Sequence, residues 1–318
     1  MEDATPHTAQ PTARYRHATP HTAQPTARYR VKRGALVIIS AACHQLQEAD
    51  AWVADPGEAQ AIHEFREHAE ERGFNLLMEL SEQPTAAAIR SFVDKLANTD
   101  FTSYDALLFV IASHGREGQL FGWPDVREDG QLESAPSGPI DLREEVFDQF
   151  CVKAQHGQEH STTASRTLVG KPKVFLVDAC RKAPAIMREP LPDEGQGGVV
   201  VGPCPEMVRS RPPLVPPDQL SSPDAEYVPL VGPDGSTTTR WSDFLFAYAT
   251  MPFNLAGLND GSLFLTTLTR QLRDHPASSF QDLLSATNGE MARLYAHEGI
   301  VGQSCFPQCA EVVTTLNR

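Results

Sequence analysis

Ala106-Leu-Leu-Phe-Val-Ile-Ala-Ser-His-Gly115 and Pro172-Lys-Val-Phe-Leu-Val-Asp-Ala-Cys-Arg-Lys182 decide how this chain is read. Each is a short apolar run rich in branched residues, as expected of a strand buried on both faces. Each ends abruptly in groups that do chemistry: His114 and Gly115 after the first, Asp178 and Cys180 at the end of the second. Further strands are predicted at Ala35-Leu-Val-Ile-Ile-Ser40, Phe74-Asn-Leu-Leu-Met-Glu-Leu80 and Phe244-Leu-Phe-Ala-Tyr-Ala-Thr250, and a last extended segment between Cys305 and Leu316. Between them, helical periodicity marks 57–72, 84–98, 262–275 and 279–298. Residues 119–140 read as a loop around a short hairpin, 141–152 as helix, and 154–166 as a polar, mobile stretch. Strands alternating with helices predict an α/β fold with a central, mainly parallel sheet of about six strands flanked by helices.

In such sheets ligands bind beyond the carboxyl ends of the strands. If the two quoted strands are parallel neighbours, His114 and Cys180 emerge at one edge. An imidazole beside a thiol favours the nucleophilic thiolate. Gly115, lacking a Cβ, can bring its N–H close to a reacting carbonyl, and with the Cys180 N–H it would complete an oxyanion hole. The plainer alternative is a buried cysteine packed as a small hydrophobe beside a structural histidine.

Composition narrows the partners. The 318 residues carry a net charge of −14 with 41% hydrophobic residues, which argues against nucleic acid or an anionic membrane surface as ligand. No run is long and apolar enough to span a bilayer, and no apolar core of a signal peptide is present at the N-terminus, so a cytoplasmic protein is expected. Six cysteines scattered over the chain suit free thiols in a reducing compartment. Cys305 and Cys309 alone are a weak zinc signal, and no cofactor or metal is predicted.

Residues 4–16, ATPHTAQPTARYR, recur letter for letter at 18–30. Two copies do not make a solenoid. With little to bury, they predict a disordered basic tail over 1–32, or a docking or cleavable pro-segment. Residues 183–240 are rich in Pro and Gly and read as a linker.

Several blocks resemble the caspases. Ser113-His-Gly-Arg-Glu-Gly118 with Leu120-Phe-Gly122 resembles the segment that carries their catalytic histidine. Pro139-Ile-Asp-Leu142 resembles the next block of that family, and Gly170 to Arg181 resembles the approach to their catalytic cysteine. Ser242 to Pro252 and Asp260-Gly-Ser-Leu-Phe264 are similar to the start of the small subunit. The resemblance covers roughly 33–318. It implies the caspase three-layer fold and a peptide hydrolase in which Cys180 attacks, His114 shuttles the proton, and the Gly115 and Cys180 amides hold the oxyanion. It also implies a large-subunit region at 33–182, an intersubunit linker at 183–240, a small-subunit region at 241–318, and a homodimer formed through the C-terminal strand. A self-activating zymogen linked to cell death is the family's usual setting.

The specificity pocket departs from that pattern. Asp178 replaces the signature glutamine, Leu258 stands where a pocket arginine aligns, and Trp52–Gly57 contains no arginine. Asp178-Ala-Cys-Arg-Lys182 also looks like the paracaspases, and metacaspases share the aspartate. Strand residues two apart share a face, so Asp178 should stand beside Cys180 and favour Arg or Lys rather than Asp at the cleaved position. Asp55 or Glu58 is a weaker candidate for a second pocket acid. Such an enzyme would cut its own linker after Arg188, Arg209 or Arg240. The alternatives are an ordinary Asp-specific caspase and an impaired homologue that regulates a partner by dimerising.

Overall fold

In the computed structural model the described residues are 29–46, 51–116, 118–151, 161–181, 230–231, 237–238, 243–250, 261–298, 310–314 and 316. The centre is a six-stranded sheet made of β1 (Gly34–Ser40), β4 (Phe74–Leu80), β5 (Ala106–Ala112), β9 (Lys173–Asp178), β12 (Phe244–Tyr248) and β13 (Glu311–Thr314). Their order across the sheet is β13-β12-β9-β5-β1-β4. All neighbours are parallel except β12 and β13. Every residue of β5 and β9 is buried, which is why their sequences show no alternation.

The two faces of these strands feed two cores. Leu36, Ile38, Leu108, Val110 and Leu176 pack beneath helices α1 (Pro56–Glu71), α4 (Leu263–Asp274) and α5 (Phe280–Glu298). Val37, Ile39, Phe109, Ile111 and Phe175 face α2 (Ala86–Ala97) and the short α3 (Thr163–Thr167). Phe175 is the hub on this second side, with ring centroids of Phe109, Phe147, Phe150, Phe244 and Phe246 at 5.0–5.8 Å. Four helices start on oxygen-bearing caps, Asp55 for α1, Thr85 for α2, Thr162 for α3 and Ser262 for α4. No helix among the described residues is long and apolar enough to cross a membrane.

Two further groups of strands lie at the carboxyl end of the sheet. β2 (Cys43–Leu46) and β3 (Ala51–Ala54) form a hairpin between β1 and α1 that the sequence pattern does not predict. β6 (His114–Arg116), β7 (Gln119–Gly122) and β8 (Ser137–Asp141) form a three-stranded sheet where the sequence predicts a loop around a hairpin. Residues 141–152 are not one helix: Leu142–Val146 is a π-helical turn and Phe147–Phe150 a 3-10 turn. Of the stretch 154–166 expected to be mobile, residues 154–160 lie outside the described set and Thr163–Arg166 belong to α3. Within 183–240, β10 (Leu230–Val231) pairs with β11 (Thr237–Thr238). The first 28 residues lie outside the described set.

Candidate active site

Parallel pairing of β5 with β9 brings their last residues together. Ala112 stands opposite Asp178, and the Ser113 N–H donates to the Asp178 carbonyl at 3.0 Å. A little further on the backbones come close: a Cβ built on Gly115 would lie 2.7 Å from the Cys180 carbonyl oxygen and 2.8 Å from the Ala179 Cβ. Glycine is therefore required here by close approach of the segment that carries Cys180, not by a left-handed turn. Gly115→Ala is expected to displace that segment and lower kcat/KM by about 100-fold. A peptide-cleavage assay checks this, with circular dichroism to confirm that the sheet is retained.

The imidazole is oriented by a third group. His114 Nε2 donates to the carbonyl of Cys43, the first residue of β2. A carbonyl only accepts, so Nε2 carries the hydrogen and Nδ1 is left as the basic nitrogen. The Cys43 thiol is buried, and burial followed by the nearby Glu58 charge pushes its pKa up to about 12, so it stays protonated. Cys151 is buried too, and Cys180 is the one described cysteine with appreciable exposure.

Asp178 lies on the α1/α4 side of β9, following Val174 and Leu176. It is only 4% exposed, which excludes a solvated strand-end carboxylate. The Ser262 hydroxyl donates to its Oδ2 and also accepts from the Leu265 N–H at the start of α4. Gly261 makes this possible. Its φ is +111°, and a Cβ on it would sit 2.5 Å from the Gly57 carbonyl, so the start of α4 is pressed against the start of α1.

That junction adds Glu58, 3% exposed, from the first turn of α1. Burial pushes its carboxyl well above the usual range, and the charges of Asp178 and then Asp55 push it further. Hydrogen bonds from Ala42 and Ser40 partly offset this. Burial also raises Asp178, to about 6, with the Ser262 hydroxyl opposing. Glu58 Oε1 has no hydrogen-bond partner among the described residues. The arrangement is a desolvated pair of carboxylates at the end of β9, with Glu58 Oε1 unpartnered among the described residues. A cation that reached this pair would offset the cost of burying its charge.

Arg181, immediately after Cys180, points the other way. Its guanidinium pairs with Glu311 on β13, donates to the Thr250 carbonyl at 3.3 Å and lies 4.4 Å from the Tyr248 ring centroid. Arg188, Arg209, Arg240 and Leu258 lie outside the described residues, as do Cys305 and Cys309. Among the described residues no group of three or more His, Cys, Asp or Glu is arranged to hold a metal ion. Local sequence carries no sign that Ser262, 84 residues away, would bond Asp178.

Comparison with known proteins agrees with the fold. A family model described as the caspase domain of peptidase family C14 matches residues 56–316. Caspase-3 of Felis catus is 23% identical over 214 residues, which is 65% of this chain and 55% of that protein. Caspase-1 of Drosophila melanogaster is 24% identical over 191 residues, 58% of this chain and 41% of that protein. The chain thus spans about half the length of the curated relatives it matches.

Proposed function

The chain belongs to the caspase-domain peptidase family, and from that premise we propose that it is a caspase-like cysteine endopeptidase that cleaves after arginine or lysine. In this reading Cys180 Sγ attacks the scissile carbonyl as its proton passes to His114 Nδ1. The oxyanion that forms is held by the Gly115 and Cys180 N–H groups. The C–N bond then breaks as the imidazolium protonates the leaving amine, giving a thioester on Cys180. Water, deprotonated by His114, hydrolyses the thioester and regenerates the thiol.

The observation that carries the basic preference is the buried pair Asp178 and Glu58, with its unpartnered Glu58 oxygen, beside the nucleophile strand. A substrate aspartate would meet two carboxylates there, whereas a guanidinium or ammonium would neutralise them. β13 forms one edge of the sheet, and pairing of that edge with a second copy is the proposed route to a homodimer.

A panel of fluorogenic peptides differing only at the cleaved position tests the assignment. Cleavage after Arg or Lys, with little after Asp, is the expected result. The reverse order would replace it with an ordinary Asp-specific caspase. No cleavage of any peptide, together with a Cys180 that does not react with an electrophile, would leave the regulatory homologue.

A further inference from the structure

We infer that a cleft on the far side of His114 from Asp178 receives the leaving half of the substrate, and that it selects an arginine there. The inference rests on the peptidase reading above. The cleft has a volume of about 640 Å³ and lies between Trp52 and Ala54 of β3, Ser81 to Gln83 at the end of β4, and Trp123 after β7.

Its place relative to the chemistry follows from pairing. The imidazole is bonded to the Cys43 carbonyl, and Cys43 is the hairpin partner of Ala54, which lines the cleft. Trp123 is reached along the same three-stranded sheet, since His114 pairs with Phe121 two residues before it. Along the sheet the strand ends therefore run in the order β9 with Asp178, β5 with His114, β1 leading into Cys43, and β4 leading into Ser81. A leaving amine takes its proton from the imidazole, so the leaving half must pass over His114 and away from Asp178. Adjacent strands lie about 4.8 Å apart and one extended residue spans about 3.3–3.6 Å, so a long side chain on the second residue past the cut can bridge the step from β5 to β4.

The lining has a definite chemistry. Trp123 is 2% exposed and forms an apolar floor. The indole N–H of Trp52 is already donated to the Glu133 carbonyl at 3.1 Å, so the ring offers the cleft only its apolar, π-rich surface. Glu82 is the charged residue of the lining and is exposed. Gln83 beside it holds φ at +47°, a conformation that costs a non-glycine residue about 1 kcal/mol. An indole face next to a carboxylate suits a planar cation, which stacks on one and pairs with the other.

The chain carries a peptide that meets both demands. Each N-terminal repeat contains Arg-Tyr-Arg, at 14–16 and at 28–30. A cut after Arg14 or Arg28 leaves an arginine for the acidic pair and places tyrosine then arginine in the leaving half. Neither bond precedes a proline, which would restrict it. The occupant assigned to the cleft is this Tyr-Arg pair, presented by a second copy of the chain.

The test uses an internally quenched peptide spanning Pro11 to Thr19 and a counterpart with glutamate in place of its second arginine. Mass spectrometry follows the Arg14–Tyr15 bond. The full chain should cleave the natural peptide with kcat/KM about tenfold above the counterpart. Glu82→Lys should erase or invert that preference, and Trp52→Ala should reduce it. Equal cleavage of both peptides by the unaltered chain would overturn the inference. An arginyl amide fluorophore, which has no residues past the cut, reports separately on the peptidase reading. Should it go uncleaved, titration of Cys180→Ala protein with Tyr-Arg-His-Ala-Thr, followed by tryptophan fluorescence, still decides the cleft. Saturable quenching that Glu82→Lys weakens supports it, and no saturable change overturns it.

Discussion

Cys180→Ala is expected to abolish peptide hydrolysis, lowering kcat/KM by about 10⁴-fold or more, with no loss of the folded state. In the proposed mechanism the Cys180 sulfur bonds to the substrate, and neither buried thiol can replace it: Cys151 is enclosed, and Cys43 is pushed up to about 12. Cys180 is partly exposed at a strand end, so removing its sulfur leaves little cavity and should shift the unfolding midpoint only slightly. The same variant tests self-processing. If purified unaltered protein is cut after Arg188, Arg209 or Arg240 while the alanine variant stays whole, the scissions are the chain's own. Unchanged hydrolysis in the variant would remove Cys180 from the mechanism.

Asp178→Asn is expected to lower cleavage after arginine by about two to three orders of magnitude while making the folded protein more stable at neutral pH. The two effects share one cause. The carboxyl has a pKa of about 6 in the folded protein against 3.8 for the free side chain, because burial disfavours its charge. Between those pH values the folded state holds a proton that the unfolded chain has released. Stability therefore falls as pH rises through about 4 to 6 and is flat above, the whole step amounting to about 3 kcal/mol. Glu58, raised for the same reason and by Asp178 itself, acts in the same direction.

Asparagine still offers an oxygen to the Ser262 hydroxyl and carries no charge to bury, so the variant should recover about 1–3 kcal/mol at neutral pH. Cleavage after arginine by the unaltered chain should rise with pH through about 6, as Asp178 ionises. Urea unfolding at pH 5 and pH 7.5, run beside kcat/KM for an arginyl substrate, measures both. A variant that is less stable at pH 7.5 and equally active would show that Asp178 is a structural carboxylate only.

How much of the molecule is legible in the sequence depends on the distance over which each feature is decided. The strands β1, β5, β9 and β12 are continuous apolar runs because both their faces are covered, and that signal is local. The helices α1, α2, α4 and α5 show as stripes ended by caps or glycine within a few residues of their true limits. His114, Gly115 and Cys180 are legible because they terminate such runs. The β2–β3 hairpin escapes notice because its few residues have no alternation distinct from a loop. The three-stranded sheet does so because Gln119–Gly122 is short and includes a glycine. Alternation puts Asp178 on one side of β9 but cannot say what waits there. Ser262 arrives with α4 and Glu58 with α1, brought together where Gly261 meets Gly57, a contact between residues more than 200 positions apart.

β9 ends one part of the chain and β12 begins the next, yet the two are hydrogen-bonded parallel neighbours from Lys173 opposite Phe244 to Val177 opposite Tyr248. Arg72 reaches the Leu272 carbonyl at 2.6 Å, Ser262 reaches Asp178, and Arg181 reaches Glu311. All of these contacts are non-covalent, and none uses the backbone between residues 181 and 243. If that stretch is the linker the proposed enzyme cuts, its contribution to these contacts is an effective concentration. Severing it changes the molecularity of unfolding: a unimolecular transition becomes a dissociation into two polypeptides. At concentrations too low for two copies to pair, the melting midpoint of the cut form still climbs with protein concentration, while that of the uncut chain does not.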